Sequence, residues 1–537
     1  MWLLGILAVQ AVMFGRSVSH EYVWDDRDTI LNSAFLGKDL MGGLRATQHD
    51  HLDPQLRQQR GGRMAHDSYR PLLFLSFAAD VALFGKSPAA MHSHNLALAM
   101  LAAALAFALL RRTGLPDAFA LAGTALFALH PFQAETTVYA STRGDLLAGV
   151  LVLGAANLAL RSADGPRSRT AVLSTLSALL FLLSLFAKEA SVALPAAVFA
   201  FAWANGDLRR HLPGLAGLGA VPPAYLLLRA SLVSAASNTP THHVITGGLW
   251  RLGATGFDYL RTVLLPFNLS TERLYPPGME ALGWVAAVAV MLALPAAALV
   301  LRSSQPDGAR ALRWVWAGLL WFWALLGPSV MVVAVQNVVA DRYMFLPLLG
   351  VVVALAHAAV MLWERMPRLR VPLRAAAALW AAPLLFVTWS LVPVWRDNET
   401  LYAHAVAAEP SSAMAHFRLG HAYTQQDRWS EALPRFEHAV NLSPKDSRFL
   451  NNLAVAQMRV GELPAAEVTL SRSIAASGGT HFRAHYNLAL VQFQLGKDRR
   501  ACTSLASALA QNPAYTQAAD LHRARCTPVP AGAVPAP

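Results

Sequence analysis

Ala118-Phe-Ala-Leu-Ala-Gly-Thr-Ala-Leu-Phe-Ala-Leu-His-Pro-Phe-Gln-Ala-Glu135 and, shortly after it, Arg143-Gly-Asp-Leu-Leu-Ala-Gly-Val-Leu-Val-Leu-Gly-Ala-Ala-Asn-Leu-Ala-Leu-Arg161 decide the fold. Both are nearly uncharged runs approaching the roughly 20 apolar residues that cross a bilayer as a helix. Each ends where ionisable residues collect. Further runs of this kind lie at about 1–15, 92–110, 170–187, 190–205, 213–230, 281–301, 313–335, 343–363 and 375–395. With the two quoted stretches, read as spans 117–131 and 137–160, they make eleven. Composition agrees. Of 537 residues, 55% are hydrophobic and 14% charged, with a mean hydropathy of +0.38. A soluble domain carries about a quarter charged residues, so the solvent implied here is lipid. The expected fold is all-α: a polytopic bundle of about eleven transmembrane helices. The first run has neither a basic flank before it nor a cleavage-like site after it, and reads as an anchor helix.

The net charge of +12 would fit a nucleic-acid partner, but the basic residues are spread through short connections between apolar runs, so none is expected. Arg111 and Arg112, then Arg161, Arg167 and Arg169, then Arg209 and Arg210, then Arg302, Arg310 and Arg313, then Arg365, Arg368, Arg370 and Arg374 fall on alternate connections. That alternation marks them as cytoplasmic. The loop 16–91, the turns His130–Glu135 and Lys188–Glu189, the stretch 231–280 and Gln336–Arg342 then face the other side. The amphipathic stretch Leu249–Leu265 reads as interfacial or re-entrant. An odd number of crossings puts the C-terminal part on the non-cytoplasmic side as well.

That C-terminal part is a repeat. Leu419, Gly420, Tyr423, Ala432, Phe436, Ala439 and Pro444 follow the tetratricopeptide-repeat (TPR) pattern of small and large residues at a helix pair. Leu453, Ala454, Ala466 and Leu470 mark a second unit, and Leu488, Ala489, Ala501, Leu505, Ala508 and Pro513 a third. The expected organisation is a membrane domain at 1–396, a TPR α-solenoid at 397–526 and a Pro/Ala-rich disordered tail at 527–537. Solenoids bind peptides along a concave face, and the bland alternative is a passive cap or an oligomer contact. Cys502 and Cys526 are either a disulfide permitted in an oxidising compartment or two buried apolar side chains.

The ionisable residues of the non-cytoplasmic face are the candidate site. They are Asp25 and Asp26, Arg70, His92, His94 and Asn95, His130 and Glu135, Arg143 and Asp145, Lys188 and Glu189, and Asp341 with Arg342. Each alone is as easily structural as functional, because ion networks also hold folds together. Gathered on one face beside apolar helices, they suit a polyprenyl-phosphate sugar, whose tail lies in the bilayer and whose phosphate sits at the interface. In sugar transfer a carboxylate takes the acceptor hydroxyl proton, and Arg or Lys stabilises the departing phosphate. No P-loop or Gly-x-Gly-x-x-Gly unit is present for a nucleotide sugar.

The chain resembles the transmembrane-and-TPR protein O-mannosyltransferases of the glycosyltransferase-C superfamily. The resemblance runs through Val23-Trp-Asp-Asp with Ile30-Leu-Asn, Tyr69-Arg-Pro-Leu and His94-Asn-Leu. It continues through Leu126-Phe-Ala-Leu-His-Pro-Phe-Gln-Ala-Glu, Arg143-Gly-Asp-Leu-Leu-Ala, Ala187-Lys-Glu, Pro266-Phe-Asn-Leu-Ser and Ala340-Asp-Arg-Tyr-Met-Phe-Leu-Pro, followed by TPRs. It implies a dolichyl- or polyprenyl-phosphate mannose donor, a protein Ser/Thr hydroxyl acceptor engaged through the TPRs, and inverting transfer. It also implies that Asp25 and Asp26 are the catalytic pair, with Asp25 as base and Asp26 positioning or touching a metal. Donor phosphate and substrate would then be held by Arg70, His94, His130, Glu135, Arg143, Asp145, Lys188, Glu189, Asp341 and Arg342. No cofactor is required, although a divalent metal is possible. His49, Asp50, His51, Asp53, His66 and Asp67 are metal-capable but lack clean ligand spacing. The Ala-rich composition gives the chain a bacterial character, placing it in the inner membrane, or in the endoplasmic reticulum of a eukaryote. The competing readings are a non-catalytic TPR scaffold for an envelope assembly and a transferase acting on a glycan or lipid acceptor.

Overall fold

The computed structural model of the chain describes residues 1–33, 36, 70–164, 166–232, 241–266, 269–271, 273–275, 278–301, 304–336 and 339–526. Among them no strand occurs, and the chain divides into two compact units, Met1–Asp397 and Asn398–Pro537. The 527–537 tail and the metal-capable residues between His49 and Asp67 lie outside the described residues.

The first unit is a helical bundle. Its helices are α1 (Trp2–Gly15), α2 (Pro71–Phe84), α3 (Pro88–Arg112), α4 (Asp117–Leu129), α5 (Gln133–Val138), α6 (Arg143–Arg161) and α7 (Arg167–Ala187). They continue with α8 (Leu194–Asn205), α9 (Leu208–Leu232), α10 (Thr241–Leu264), α11 (Glu280–Val300), α12 (Pro306–Gln336), α13 (Pro347–Arg365) and α14 (Arg370–Leu391). Among the described residues, eight helical stretches are long and apolar enough to cross a membrane. α4 and α8 are apolar but shorter. Glycines let neighbouring helices touch backbone to backbone, as membrane helices do where small residues meet. A methyl on Gly318 of α12 would meet the Gly350 carbonyl of α13 at 2.4 Å, and one on Gly283 of α11 would meet the Gly253 carbonyl of α10 at 2.2 Å.

Two features depart from the reading of the sequence. The loop 16–91 contains α2, an apolar helix of 14 residues, too short to register as a span. The expected span 137–160 does not run through: the chain turns in a short 3₁₀ segment, Ala140–Thr142, and α6 starts at Arg143. Arg143 and Asp145 therefore sit in the first turn of a helix and not within one.

The two sets of connections separate to opposite ends. Arg112 pairs with Asp164 at 3.2 Å, and methyls placed on Gly114 and Gly206 would abut Arg310 and Arg313. At the other end, Asp26 meets Ser141, Arg70 meets Glu189, Lys188 meets Asp145 and Arg342 meets Glu135.

The second unit comprises α15 (Asn398–Ala408), α16 (Ala413–Thr424), α17 (Trp429–Leu442), α18 (Ser447–Arg459), α19 (Leu463–Ala476), α20 (Phe482–Gln494), α21 (Asp498–Gln511) and α22 (Thr516–Arg525). Successive antiparallel pairs bury Ala432, Phe436 and Ala439, then Ala466 and Leu470, then Ala501, Leu505 and Ala508. Gly420 is required by close packing, since a methyl there would meet the Phe436 ring at 2.8 Å. Cys502 on α21 and Cys526 after α22 form a disulfide, with Cα atoms 5.5 Å apart. It staples the last helix to its neighbour.

Candidate functional site

The acidic pair lies on the turn after α1. Trp24 has a left-handed backbone, φ +51°, which a bulky residue adopts only when its surroundings hold it there. The hold is visible. The Trp24 ring stacks on Tyr139 at 5.6 Å, Tyr139 stacks on Trp395 at 5.2 Å, and the Asp25 amide donates to the Tyr139 hydroxyl at 3.2 Å.

The two aspartates differ. Asp26 is fully buried, and its carboxylate accepts from the Ser141 amide at 2.7 Å, the Ser141 hydroxyl at 2.5 Å and the Val23 amide at 3.3 Å. Burial outweighs these donors and pushes its pKa up to about 7. Asp25 is half-exposed and shares the turn with Trp24. One carboxylate is thus locked into the protein while its neighbour keeps part of its surface exposed.

Three cations line the same rim. Arg342 donates from its backbone amide to Glu135 at 3.0 Å, and its guanidinium pairs with the same carboxylate. The guanidinium also lies 5.5 Å over Trp24 and 5.3 Å over Tyr343. Lys188 approaches Tyr343 at 5.8 Å and pairs with Asp145. Arg70 grips Glu189 with two hydrogen bonds, 2.8 and 2.6 Å. That fork holds the Glu189 carboxyl down at about 2. Burial lowers the pKa of Lys188, opposed first by Asp145. The Lys188 backbone is extended between α7 and a 3₁₀ turn, which is how an ammonium comes to stand between two apolar helices.

Other sequence-derived candidates lie elsewhere. Arg143 turns inward, 1% exposed, onto Asp80 at 2.5 Å. His94 pairs with the second oxygen of Asp80 at 2.6 Å. His130 is held by the backbone at both nitrogens: Nδ1 accepts from the Phe132 amide at 3.2 Å and Nε2 faces the Val263 carbonyl at 3.1 Å. Asp341 is buried against Arg273 at 3.3 Å, and Arg273 also meets Asp258 at 3.2 Å. Burial pushes the Asp341 pKa up to about 7. Among the described residues no three His, Cys, Asp or Glu side chains come together to hold a metal ion.

Sequence reasoning missed Asp80, Tyr139, Ser141, Arg273 and Trp24. Asp80 had a signal, being the one acid in the apolar run Pro71–Phe84. Tyr139 and Ser141 lie between two quoted stretches but are uncharged, and no motif pointed to them.

No family model matches the chain. It is 23% identical to the protein O-mannosyl-transferase TMTC1 of Homo sapiens over 83% of this chain and 56% of that protein. It is 29% identical to the TMTC1 protein of Mus musculus over 34% of this chain and 19% of that protein. It is 33% identical to the Tmtc1 protein of Drosophila melanogaster over 28% of this chain and 17% of that protein. The chain thus spans about half the length of the human relative, 56%, and resembles proteins named as O-mannosyl-transferases over most of its own. Among solved structures, a crystal structure of MamA is 23% identical, covering 22% of this chain and 68% of its own, at a TM-score of 0.21. The Cut9-Hcn1 hetero-tetramer of the APC/C is 15% identical, covering 90% and 96%, at a TM-score of 0.25.

Proposed function

We propose that this chain, similar along most of its length to proteins named as O-mannosyl-transferases, is a membrane glycosyltransferase. It moves a sugar, mannose by that similarity, from a polyprenyl- or dolichyl-phosphate donor to a Ser/Thr hydroxyl of a protein on the non-cytoplasmic side. The observation that carries this reading is the juxtaposition at the rim. Arg342 stands over Trp24, the residue before Asp25, while Lys188 shares the Tyr343 ring with it. A half-exposed carboxylate beside paired cations is what transfer from a lipid phosphate requires.

In the resting state each cation is held by an acid: Arg342 by Glu135, Lys188 by Asp145, Arg70 by Glu189. A bound donor phosphate takes over part of that pairing. The Arg forks suit its oxygens, and Lys188 adds a point charge. Asp25 accepts the proton of the acceptor hydroxyl as its oxygen attacks the anomeric carbon from the face opposite the phosphate. The glycosidic C–O bond to phosphate breaks, the lipid phosphate leaves with the bonding electrons, and the anomeric configuration inverts. The cations stabilise charge that grows as the bond breaks. Asp26 keeps the turn in place through Ser141. The repeats present the acceptor peptide.

The test is transfer in nanodiscs. Purified full-length protein receives radiolabelled polyprenyl-phosphate mannose and a Ser/Thr-rich peptide. Labelled peptide with inverted anomeric configuration is expected. Transfer only from a different lipid-linked sugar would correct the sugar, retained configuration would remove the single-displacement mechanism, and no release of lipid phosphate from any such donor would defeat the enzyme reading. For sidedness, a reporter active only outside the cytoplasm, fused after Pro513, should give signal.

A further inference from the structure

Among the described residues, the most deeply buried charge pair of the bundle is separate from the pairs of the rim cations. Asp80 and Arg143 are 6% and 1% exposed and pair with each other, while Arg70, Lys188 and Arg342 are taken by Glu189, Asp145 and Glu135. A cation so placed is costly in a bilayer, by at least about 2.5–3.5 kcal/mol, unless its partners compensate. Every nitrogen of this guanidinium is engaged. Nη1 donates to Asp80 at 2.5 Å, Nη2 to the Met91 carbonyl at 3.0 Å and Nε to the Asn95 side-chain oxygen at 3.0 Å. The Phe77 ring packs 4.9 Å beneath it.

Asn95 carries the contact onward. It is fully buried, and its amide nitrogen donates to the carbonyls of Tyr139 at 3.1 Å and Ala140 at 3.4 Å. The Tyr139 carbonyl also accepts from the Thr142 hydroxyl. These carbonyls belong to the turn that interrupts the expected span, and its next residue, Ser141, supplies two of the three donors to Asp26. The Tyr139 hydroxyl accepts from the Asp25 amide. A chain of buried, oriented bonds therefore runs from α2 through α3 to the turn before α6, and ends at both aspartates.

We propose that Asp80, Arg143 and Asn95 form a positioning strut: a polar network that holds the 139–142 turn in register, and through Tyr139 and Ser141 fixes the carboxylates of Asp25 and Asp26. The proposal rests on the reading of Asp25 as base. Arg143 is then not a donor ligand. It acts through Asn95, which explains why an arginine stands at this break: its fork reaches Asp80, Met91 and Asn95 at once, while a lysine reaches one or two of them. Reacting groups must be held to fractions of an ångström, and shifts of about 1 Å cost on the order of 100-fold in rate.

The experiment uses the full chain in nanodiscs and two readouts. Asn95→Asp keeps an acceptor for Arg143 and removes the donor to the turn, and Arg143→Lys keeps a cation for Asp80. Both variants should lower kcat for sugar transfer roughly 10- to 100-fold, with the KM for the lipid donor unchanged. Asn95→Gln, which restores an amide donor, should recover part of the loss. Hydrogen exchange at residues 139–142 is the second readout, and should speed at least about tenfold in Asn95→Asp with the rest of the bundle unchanged. A raised KM at unchanged kcat would make Arg143 or Asn95 a donor contact and overturn the strut, as would unchanged exchange in the turn. If the wild type transfers no sugar, the functional reading fails, while exchange at the turn still decides the strut. If Asn95→Asp does not fold, Arg143→Lys carries the same two measurements.

Discussion

The bundle and the repeat unit both contain ion pairs, and they use them in opposite ways. In the repeats the pairs are open to water: Arg428 with Glu431, Arg448 with Asp446 and Arg523 with Asp520 lie two or three residues apart, while Arg428 with Glu399, Lys497 with Glu467 and Arg525 with Asp498 join neighbouring helices through partly exposed side chains. Such pairs contribute little, because water competes for both partners. In the bundle, Arg342 meets Glu135, Arg143 meets Asp80 and Lys188 meets Asp145 across 207, 63 and 43 residues of sequence, all largely buried. Desolvating two charges costs more than most pairs return, so a buried pair is weak ground for stability and better ground for a site. The charges of the repeats suit a surface in contact with water, while those of the bundle mark the proposed site.

The strongest way to break this contrast is Asp25→Asn. It preserves shape and removes a base, and transfer should fall at least about a hundredfold at unchanged melting temperature. Wild-type rates in a folded variant would take the chemistry away from the acidic pair. Arg342→Ala comes next. It strands the buried Glu135 carboxylate, and thermal unfolding of the bundle should report a loss of about 3–5 kcal/mol together with a raised KM for the lipid donor. A neutral result would make the rim as inert as the surface pairs.

Asp26 gives a subtler test through pH. Its carboxyl is raised from 3.8 to about 7 in the folded protein, so the folded state resists its ionisation. The fold is favoured while both folded and unfolded states are protonated, below about pH 4, and that advantage is lost as pH rises toward about 7. Measured against Asp26→Asn, the wild type should therefore lose relative stability across pH 4–7 and show a constant difference outside that window. A wild type that instead gains stability relative to Asp26→Asn as pH rises would reverse the sign and mean that the donors of Ser141 win over burial. The smallest effect belongs to the repeats: Arg523→Ala, at a pair exposed on both sides, should leave the melting transition where it is, and a clear shift would show that surface pairs there matter more than their exposure implies.

Much of the site was legible because charge is conspicuous in an apolar chain. Asp25, Asp26, Arg70, Glu135, Lys188, Glu189 and Arg342 stand out wherever spans break, and their shared face followed from where the arginines of the opposite connections fall. The pairing was not legible. Lys188 ignores its neighbour Glu189 for Asp145, and Arg143 ignores the nearby Asp145 for Asp80. Residues one or two apart on a chain do not face each other, so a partner is chosen by which helices pack, and sequence order does not report that.

The sequence by itself determined the solvent of the first unit, the repeat of the second, and the end of the bundle where ionisable groups gather. Hydrophobic run length, repeat period and charge alternation are local or additive properties, and they survive being read one residue at a time. Only the tertiary structure decided that the run 137–160 breaks at Ala140–Thr142, that a short helix in a loop supplies Asp80, and that Asp26 is locked against Ser141 while Arg342 lies over Trp24, the residue before Asp25. These depend on which buried donor reaches which acceptor. In a medium that offers no water as a substitute partner, that is settled by the packing of the whole bundle.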